Sequence, residues 1–366
     1  MKKIVSAFIC LIMVFAMTGC QSDEVMVLTP YGDAVIKDEQ GASSNVEEKK
    51  EEAAKAEEDE KKDSANSGSD LIHVGFAQVG AESGWRLAQT QSMKETFTEE
   101  NGYQFDFVDC NNDPATQKDT IEKFIKDGVQ YIVLDPIVED GYDDVLKKAK
   151  DAGIPVIVVD RNISADKSLY SCWVGSDFNK EGEDAANWLA DYLKDNGRDK
   201  EDINIVTILG SDGSSATNGR TSGFEAVAKK QSSWKLLDKQ CGEFTQDGGN
   251  AVMKAFLKKY KDIDVVVCQN DDEAFGAIEA IEEAGLTCGP NGDIIIVSFD
   301  ATKAGFEQMV DGKINVDVEC NPLEGPKVAE LIQKLEAGEK PDTIQYMDEG
   351  VYPADTAADE IDSRVY

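Results

Sequence analysis

Residues 131–160, YIVLDPIVEDGYDDVLKKAKDAGIPVIVVD, contain two short apolar runs separated by an amphipathic stretch. The runs YIVL (131–134) and VIVV (156–159) have the length of buried strands, and the apolar residues between them recur at helical spacing. Strand, helix and strand in this order are typical of a parallel sheet, because parallel neighbours need a long crossover connection. The stretch therefore predicts one βαβ unit of an α/β fold.

The same alternation extends in both directions from this unit. Before it, IHVGFAQV and YQFDFVD predict strands, and an amphipathic segment after each predicts a helix. After Asp160 we expect a hairpin-like connection and one further helix, and the alternation then restarts with INIVTILG and continues to IIIVSFD. Two successive parallel sheets, in a body that begins near residue 71, predict two Rossmann-like lobes.

The composition argues against several classes of protein. The chain holds 72 acidic and 37 basic residues, a formal net charge of −35, so it would repel nucleic-acid phosphates. A single histidine argues against His-rich metal sites and Ser-His-Asp triads. The glycine-rich segments GAESG and GSDGSS match neither GxGxxG nor a P-loop. We therefore expect no nucleic-acid partner, no cofactor and no metal site.

The N-terminus has the pattern of an export signal. Lys2 and Lys3 precede an apolar run that ends in Met17-Thr18-Gly19-Cys20. This resembles the signal of bacterial lipoproteins and predicts a signal peptide over residues 1–19 and lipidation of Cys20. Residues 20–70, rich in Glu, Lys, Ala and Ser, predict an acidic disordered tether, with a solvated helix or coil in its second half. Residues 25–36 have some strand character and no assigned role.

Six cysteines remain in the body, and their spacing leaves their state open. None forms a CxxC pair, which argues against a zinc knuckle or a dithiol redox motif. Export would permit disulfides between them, and burial as small apolar side chains is the alternative. The six are Cys110, Cys172, Cys241, Cys268, Cys288 and Cys320.

Polar residues follow nearly every predicted strand. In parallel α/β sheets, ligands bind beyond the carboxyl ends of the strands, where loops and helix N-termini present free polar groups. Two lobes that face each other would place both sets of residues across one cleft. The strand-end segments are 78–86, 109–112, 135–136, 160–161, 210–220, 270–272 and residue 300.

Over residues 71–355 the chain resembles the sugar-binding proteins of ABC transporters, of the ribose and galactose type. The matching segments are VGFAQVGAESGWRLAQT, AKDAGIPVIVVDRNI, DKSLY, GRTSGFEAV, GEFTQDGG, QNDDEAFGAIEAIEEAGL, SFDAT and NPLEGP. Within that family the chain is most similar to the members that bind galactofuranose. The resemblance implies the type I periplasmic binding protein fold, in which a multi-strand hinge joins the lobes. It implies lobes of 71–176 plus 322–348 and 177–321 plus 349–366.

The resemblance also implies the residues of a sugar site. The family holds its sugar with an Asp-Arg dipeptide like Asp160-Arg161, and Arg220, which would open a helix, matches an arginine of the second lobe. Asn270, Asp300, Phe244 and the pair Trp85-Arg86 match further family positions. Glu82 shares the junction of Trp85, and Asp271 either contacts the ligand or caps the next helix. Two acids at predicted crossings between the lobes complete the set, Asp177 and Glu319.

These features predict a lipid-anchored, monomeric, extracytoplasmic protein that is not an enzyme. It would capture a galactofuranose-like or related furanose or pyranose sugar by cleft closure and deliver it to an ABC permease. A sensor that presents its closed form to a chemoreceptor or kinase is the alternative within binding proteins. A glycoside hydrolase with paired carboxylates is the alternative from another class. A sugar-responsive transcription regulator conflicts with the export signal.

Overall fold

The computed structural model describes residues 71–366 and, before them, two short strands. These are β1 (Val27–Leu28) and β2 (Ala34–Val35), which pair antiparallel within the stretch of predicted strand character. The predicted signal peptide and Cys20 lie outside the described residues, as does the predicted tether apart from β1 and β2. In the described part of the chain, no helix is both long and apolar enough to span a membrane.

The first lobe is built on a six-stranded sheet in which all neighbouring strands are parallel. The predicted hairpin after Asp160 is wrong, because the two strands on either side of it pair in parallel through an irregular connection. In spatial order the strands are β13 (Ile344–Tyr346), β7 (Cys172–Gly175), β6 (Val156–Val159), β5 (Tyr131–Leu134), β3 (Ile72–Gln78) and β4 (Tyr103–Asp109).

The second lobe repeats this plan with one antiparallel edge strand. Its strands are parallel except β14, which pairs antiparallel with its neighbour β12. In spatial order they are β14 (Val351–Pro353), β12 (Val316–Glu319), β11 (Ile295–Asp300), β10 (Val265–Cys268), β8 (Ile203–Leu209) and β9 (Trp234–Cys241). The two parallel-sheet lobes confirm the predicted fold class.

Both sheets are buried on both faces, as continuous apolar runs require. Along β5 and β6, Ile132 and Val158 face one core, whereas Val133 and Ile157 face another. The helices that cover these faces are α1 (Gly84–Thr96), α2 (Pro114–Asp127), α3 (Asp143–Asp151), α4 (Phe178–Asp195), α5 (Ser215–Ala228), α6 (Gln246–Lys259), α7 (Asp271–Glu283), α8 (Lys303–Val310), α9 (Gly325–Glu336) and α10 (Ala357–Glu360).

Most of these helices begin directly beyond a strand, with a side chain as N-cap. The capping oxygen accepts a backbone N–H of the first turn, which satisfies a donor that the helix itself cannot. Polar strand ends and helix N-termini are thereby brought to the same edge of each sheet. The side-chain caps are Ser83, Asp113, Asp177, Ser214, Thr245, Asn270 and Thr302. Arg220 therefore lies in the second turn of α5 and does not open the helix as predicted.

The chain passes between the lobes three times. The crossover segments are residues 176–177 after β7, 320–322 after β12 and 347–350 between β13 and β14. Among the residues that the structure describes, the six cysteines of the body form no disulfide, and every one except Cys241 is buried.

Glycines let the helices of the second lobe approach each other closely. A Cβ on Gly223 of α5 would clash with the backbone oxygen of Asn179, and one on Gly182 of α4 with that of Arg220. Gly249 and Gly276 do the same between α6 and α7. Close contact at the first crossing fixes the position of Arg220, which lies one turn from Gly223.

We expect Gly223→Ala to lower the free energy of unfolding by about 1–3 kcal/mol, because the added methyl group must separate α4 from α5. The measurement is a pair of urea unfolding curves beside wild type. Ala226→Gln, on the exposed face of the same helix, is the matched control and should stay within about 0.5 kcal/mol of wild type. Equal stability of all three proteins would contradict the close-contact argument.

Candidate functional site

A cavity lies between the lobes where the carboxyl ends of their strands face each other. The space between its lining atoms is about 300 Å³, part of which is open to solvent. Nine of the twelve predicted site residues line it: Glu82, Trp85, Arg86, Asp160, Arg161, Arg220, Phe244, Asn270 and Asp300. Four further residues complete the lining, namely Ser83, Phe178, Ala216 and Cys320.

On the first-lobe side, Arg86 is the centre of a buried ionic network. Its Nε donates to Glu82 Oε1 at 3.0 Å, and its Nη1 lies 2.8 Å from Asp160 Oδ2 and also bonds Asp135. Arg161 donates from Nη2 to Glu82 Oε1 at 3.3 Å and from Nη1 to the backbone oxygen of Ile137. These contacts hold both guanidinium groups in place, and Glu82 Oε2 is buried without a hydrogen-bond partner among the described residues.

On the second-lobe side, Arg220 is held in the same way. Its Nε donates to Glu181 Oε2 at 2.6 Å, and Nη1 bonds the backbone oxygen of Gln269. Nη2 lies 3.6 Å from Asp300 Oδ1. Burial raises the pKa of Asp300 well above its usual range, and Arg220 opposes this shift. Asp300 lines the cavity, so its carboxyl group can form hydrogen bonds to a ligand there.

Aromatic side chains supply the apolar part of the lining. The indole N–H of Trp85 donates to the backbone oxygen of Cys320 at 2.6 Å, and this hydrogen bond fixes the ring against the crossover segment 320–322. The Arg161 guanidinium lies 5.5 Å from the ring centroid of Phe244, a cation–π contact between the two lobes. Phe178 lies beneath Arg220 at the same distance.

Other contacts also join the lobes around the cavity. The N–H of Gly84 donates to Asp272 Oδ2 at 3.0 Å, and the N–H of Asn162 donates to Ser215 Oγ at 2.7 Å. Asn218 Nδ2 donates to Glu139 Oε1 at 2.8 Å. The lobes thus meet at several points of the rim, and the cavity residues are buried.

A family model described as a periplasmic binding protein domain matches residues 74–340. The chain belongs to the periplasmic binding protein family. Its members are solute-binding proteins that act outside the cytoplasm and are not enzymes. This excludes the glycoside hydrolase alternative.

Three similar proteins illustrate the relationship. The galactofuranose-binding protein of Escherichia coli strain K12 is 36% identical over 298 residues, 80% of this chain and 91% of the relative. The structure of a Mycobacterium smegmatis protein in complex with β-D-fucofuranose is 41% identical, with a TM-score of 0.76 over 79% of this chain and 94% of that one. The arabinose-transporter binding component of Shewanella sp. ANA-3, bound to L-arabinofuranose, is 37% identical, with a TM-score of 0.75 over 80% and 95% of the chains.

Three predicted residues of this periplasmic binding protein lie off the cavity. Asp177 caps α4 by accepting the N–H of Lys180. Asp271 is buried and accepts from Ser298 Oγ and from the N–H and hydroxyl of Thr302. Asn270, not Asp271, caps α7. The Glu319 carboxylate is occupied by Gly350, Tyr352, Arg364 and Tyr366 on the hinge side.

The backbone is left-handed at three residues that the binding protein presents to the cavity. Asp160 has φ 53°, Phe244 φ 59° and Asp300 φ 105°, conformations that cost free energy in any residue but glycine. Such residues persist only where the surrounding structure holds them.

A buried carboxylate lies behind each of these turns. Glu324 Oε1 accepts the N–H of Asp160 at 2.9 Å, and Glu273 Oε1 accepts that of Phe244 at 3.0 Å. Asp317 Oδ1 accepts the N–H of Ala301, directly after Asp300, at 2.9 Å. These positioning residues were missed by sequence reasoning, because each lies far along the chain from the turn that it holds or looks like an ordinary helix acid.

The four additional lining residues were missed for simpler reasons. Ser83 lies inside the predicted strand-end segment 78–86, and Phe178 follows the predicted Asp177, but neither carries a pattern of its own. Ala216 offers no chemistry that a sequence can reveal. Cys320 lies between the predicted Glu319 and the NPLEGP segment of family resemblance, and a lone cysteine there carries no pattern of its own.

Glu273 gives the binding protein a testable pH dependence. Burial raises its pKa to about 8, although N–H donors from Phe244 and Gln269 oppose the shift. The folded state therefore keeps a proton that the unfolded chain releases above pH 4.5. We expect this group to make the free energy of unfolding fall as pH rises through this window to about 8, by up to about 1.4 kcal/mol per pH unit.

Urea unfolding measured from pH 5 to 8 should show a shallower decline for Glu273→Gln than for wild type. Glu279→Gln, which removes an exposed carboxylate of the same helix, is the control and should decline as wild type does. An unchanged slope in Glu273→Gln would show that the buried carboxyl does not keep its proton.

Proposed function

We propose that this protein captures a monosaccharide in the cavity between its lobes and delivers it to an ABC importer. The observation that carries the proposal is the meeting of nine predicted residues around one cavity. Similar proteins bind galactofuranose, β-D-fucofuranose and L-arabinofuranose, which supports a sugar ligand in the furanose form.

The charges of the cavity suit an uncharged, hydroxyl-rich ligand. Its lining contains three guanidinium groups and three carboxyl groups, so no single sign of charge dominates. Planar side chains such as Asp160 and Arg161 offer paired acceptors and donors that match neighbouring hydroxyls. Trp85, Phe178 and Phe244 offer apolar faces for the C–H groups of a sugar ring.

Binding is coupled to closure of the lobes in this proposal. A sugar that bonds Asp160 and Arg161 in the first lobe and Asn270 and Asp300 in the second would favour the arrangement in which the lobes meet. The rim contacts from Gly84 to Asp272 and from Asn218 to Glu139 form in that arrangement. The closed surface is what an importer would recognise.

The finer assignments are proposals as well. We infer lobes of 71–176 plus 322–348 and 177–321 plus 349–366, which agree with the strand membership of the two sheets. We also infer a monomer whose Cys20 carries lipid after removal of residues 1–19, on the strength of the lipoprotein-like signal.

Sugar affinity tests the site. Isothermal titration of wild type with D-galactose, D-fucose, L-arabinose and D-ribose should identify at least one binding sugar. We expect Arg161→Ala to weaken binding of that sugar by about 10- to 150-fold, since it removes a charged hydrogen bond of about 1.5–3 kcal/mol. Asp300→Ala should weaken it by about 2- to 12-fold, since burial favours the neutral carboxyl group and a neutral hydrogen bond contributes about 0.5–1.5 kcal/mol.

Asp177→Asn is the matched control, because Asp177 caps α4 away from the cavity and Asn also caps helices. It should bind the sugar as wild type does. If Arg161→Ala and Asp300→Ala both keep wild-type affinity, the site assignment is wrong. If no sugar of the panel or of a wider monosaccharide set binds wild type, the ligand class is wrong.

Cell fractionation tests the anchor. Wild type expressed in a bacterial host should sediment with membranes, because more than one acyl chain on the N-terminal cysteine anchors a protein stably in a bilayer. Cys20→Ser cannot be lipidated and should appear in the soluble fractions. Cys10→Ser is the control and should sediment with membranes as wild type does. Membrane sedimentation of Cys20→Ser at the wild-type level would refute the anchor.

A further inference from the structure

A second cavity, of about 680 Å³, lies against the crossover segments and is strongly acidic. Lys180 is the only basic residue in its lining within the described part of the chain, and it is paired with Asp184. The excess of negative charge in a concave site favours a bound cation. The acids that line it are Asp177, Glu181, Asp184, Glu319, Asp348 and Glu349.

Three potential metal ligands converge beside this cavity, whose lining includes two of them, Glu181 and Glu349. A carboxylate oxygen of Glu181, Sγ of Cys320 and a carboxylate oxygen of Glu349 all lie within 4.8 Å of one another. Cys320 and Glu349 come from two different crossover segments, and Ser176 of the third bonds Glu349 and lies 3.2 Å from Cys320 Sγ. All three passages of the chain between the lobes therefore meet at this cluster.

One atom of the cluster lacks the partner that its burial requires. Glu181 is only 3% exposed; its Oε2 accepts from Arg220, but its Oε1 is buried with no hydrogen-bond partner among the described residues. A buried carboxylate oxygen left unsatisfied is costly, and a metal ion is one of the partners that satisfy it.

We propose that Glu181, Cys320 and Glu349 form a binding site for a thiophilic divalent cation, with Zn²⁺ as the best fit. A thiolate and carboxylates are zinc ligands, at about 2.3 Å and 2.0–2.2 Å from the metal. The present separations permit this after small side-chain rotations. Water from the acidic cavity supplies the fourth position of a tetrahedral site.

The position of the site gives it a function. A metal held by α4 and two crossover segments restricts rotation of the lobes and stabilises the arrangement in which these atoms are close together. It also leaves Glu181 Oε2 with Arg220, which lines the sugar cavity. Zinc should therefore raise the affinity for sugar, a coupling that rests on the proposed function, and sugar should raise the affinity for zinc equally.

The direct test uses the metal alone. The full-length protein as purified after export is stripped with EDTA, dialysed, and titrated with ZnCl₂ by calorimetry. We expect one saturable equivalent, and Co²⁺ in its place should give the near-ultraviolet charge-transfer band of a cobalt–thiolate bond. Glu349→Gln and Cys320→Ser should each lower the affinity for zinc by at least about 10-fold, and Cys320→Ser should abolish the cobalt band.

Cys241→Ser and Asp184→Asn are the matched controls. Cys241 is the exposed thiol of the body, and Asp184 lines the same cavity outside the cluster. Both should keep wild-type zinc affinity and the cobalt band. Thermal unfolding in EDTA shows whether each variant is folded, and every variant should unfold in one cooperative transition. When zinc replaces EDTA, only wild type and the two controls should unfold at a higher temperature.

The proposal is overturned if wild type shows no saturable zinc binding, or if Glu349→Gln and Cys320→Ser bind zinc as wild type does. It is also overturned if Cys241→Ser abolishes binding, because the metal would then sit on the exposed thiol. Sugar titrations with and without zinc test the coupling. Zinc binding without any change in sugar affinity refutes the coupling alone, and absence of sugar binding with intact zinc binding refutes the proposed function alone.

Discussion

Buried carboxyl groups that accept backbone N–H groups hold the edge of the cavity in place. Asp160, Phe244 and Asp300 have left-handed backbones, each of which costs on the order of 1–3 kcal/mol in a residue with a side chain. Glu324 and Glu273 lie behind the first two turns and Asp317 behind the third, and each accepts an N–H there. A buried carboxyl oxygen without a hydrogen bond is costly. Each left-handed turn and the carboxyl group that accepts its N–H therefore stabilise one another. The directions of the three cavity side chains follow from these contacts.

The same arrangement fixes the guanidinium groups. Arg86 is bonded by Asp135 and Glu82 from the first lobe, and Arg220 by Glu181 from the second. These carboxylates prevent the arginines from turning away, and their charges offset the positive charge in a region with little water. A neutral ligand then replaces water without breaking an ion pair. A charged ligand would add a charge that nothing in this balanced lining compensates. The charges of the lining are paired locally, so the high net charge of the chain does not prevent an uncharged molecule from binding.

The sequence predicts the features that depend on neighbouring residues. Apolar runs such as VIVV at 156–159 become strands, and the polar residues after them, Asn270 and Asp300 among them, reach the cavity because parallel topology brings strand ends to one edge. The contact of Glu324 with Asp160 joins residues 164 positions apart, and nothing in the local pattern separates Glu324 from an ordinary acid at the start of a helix. Asp271 shows the limit most clearly. The run of acids predicts a cap, but the order of β10 and β11 places this side chain against Ser298 and Thr302 of the neighbouring strand end.

The hinge and the cavity cannot respond independently, because they share side chains. Cys320 lines the cavity, yet it belongs to a crossover segment, and its backbone oxygen accepts the indole N–H of Trp85 from the first lobe. Glu181 lines the acidic cavity against the crossover segments, yet it also orients Arg220 at the ligand site. Rotation of one lobe about the crossover segments would therefore change the separation of Trp85 from Cys320 and of Arg161 from Phe244 at the same time. A molecule that bonds both lobes selects one value of that rotation, so affinity and lobe closure are two measures of a single equilibrium.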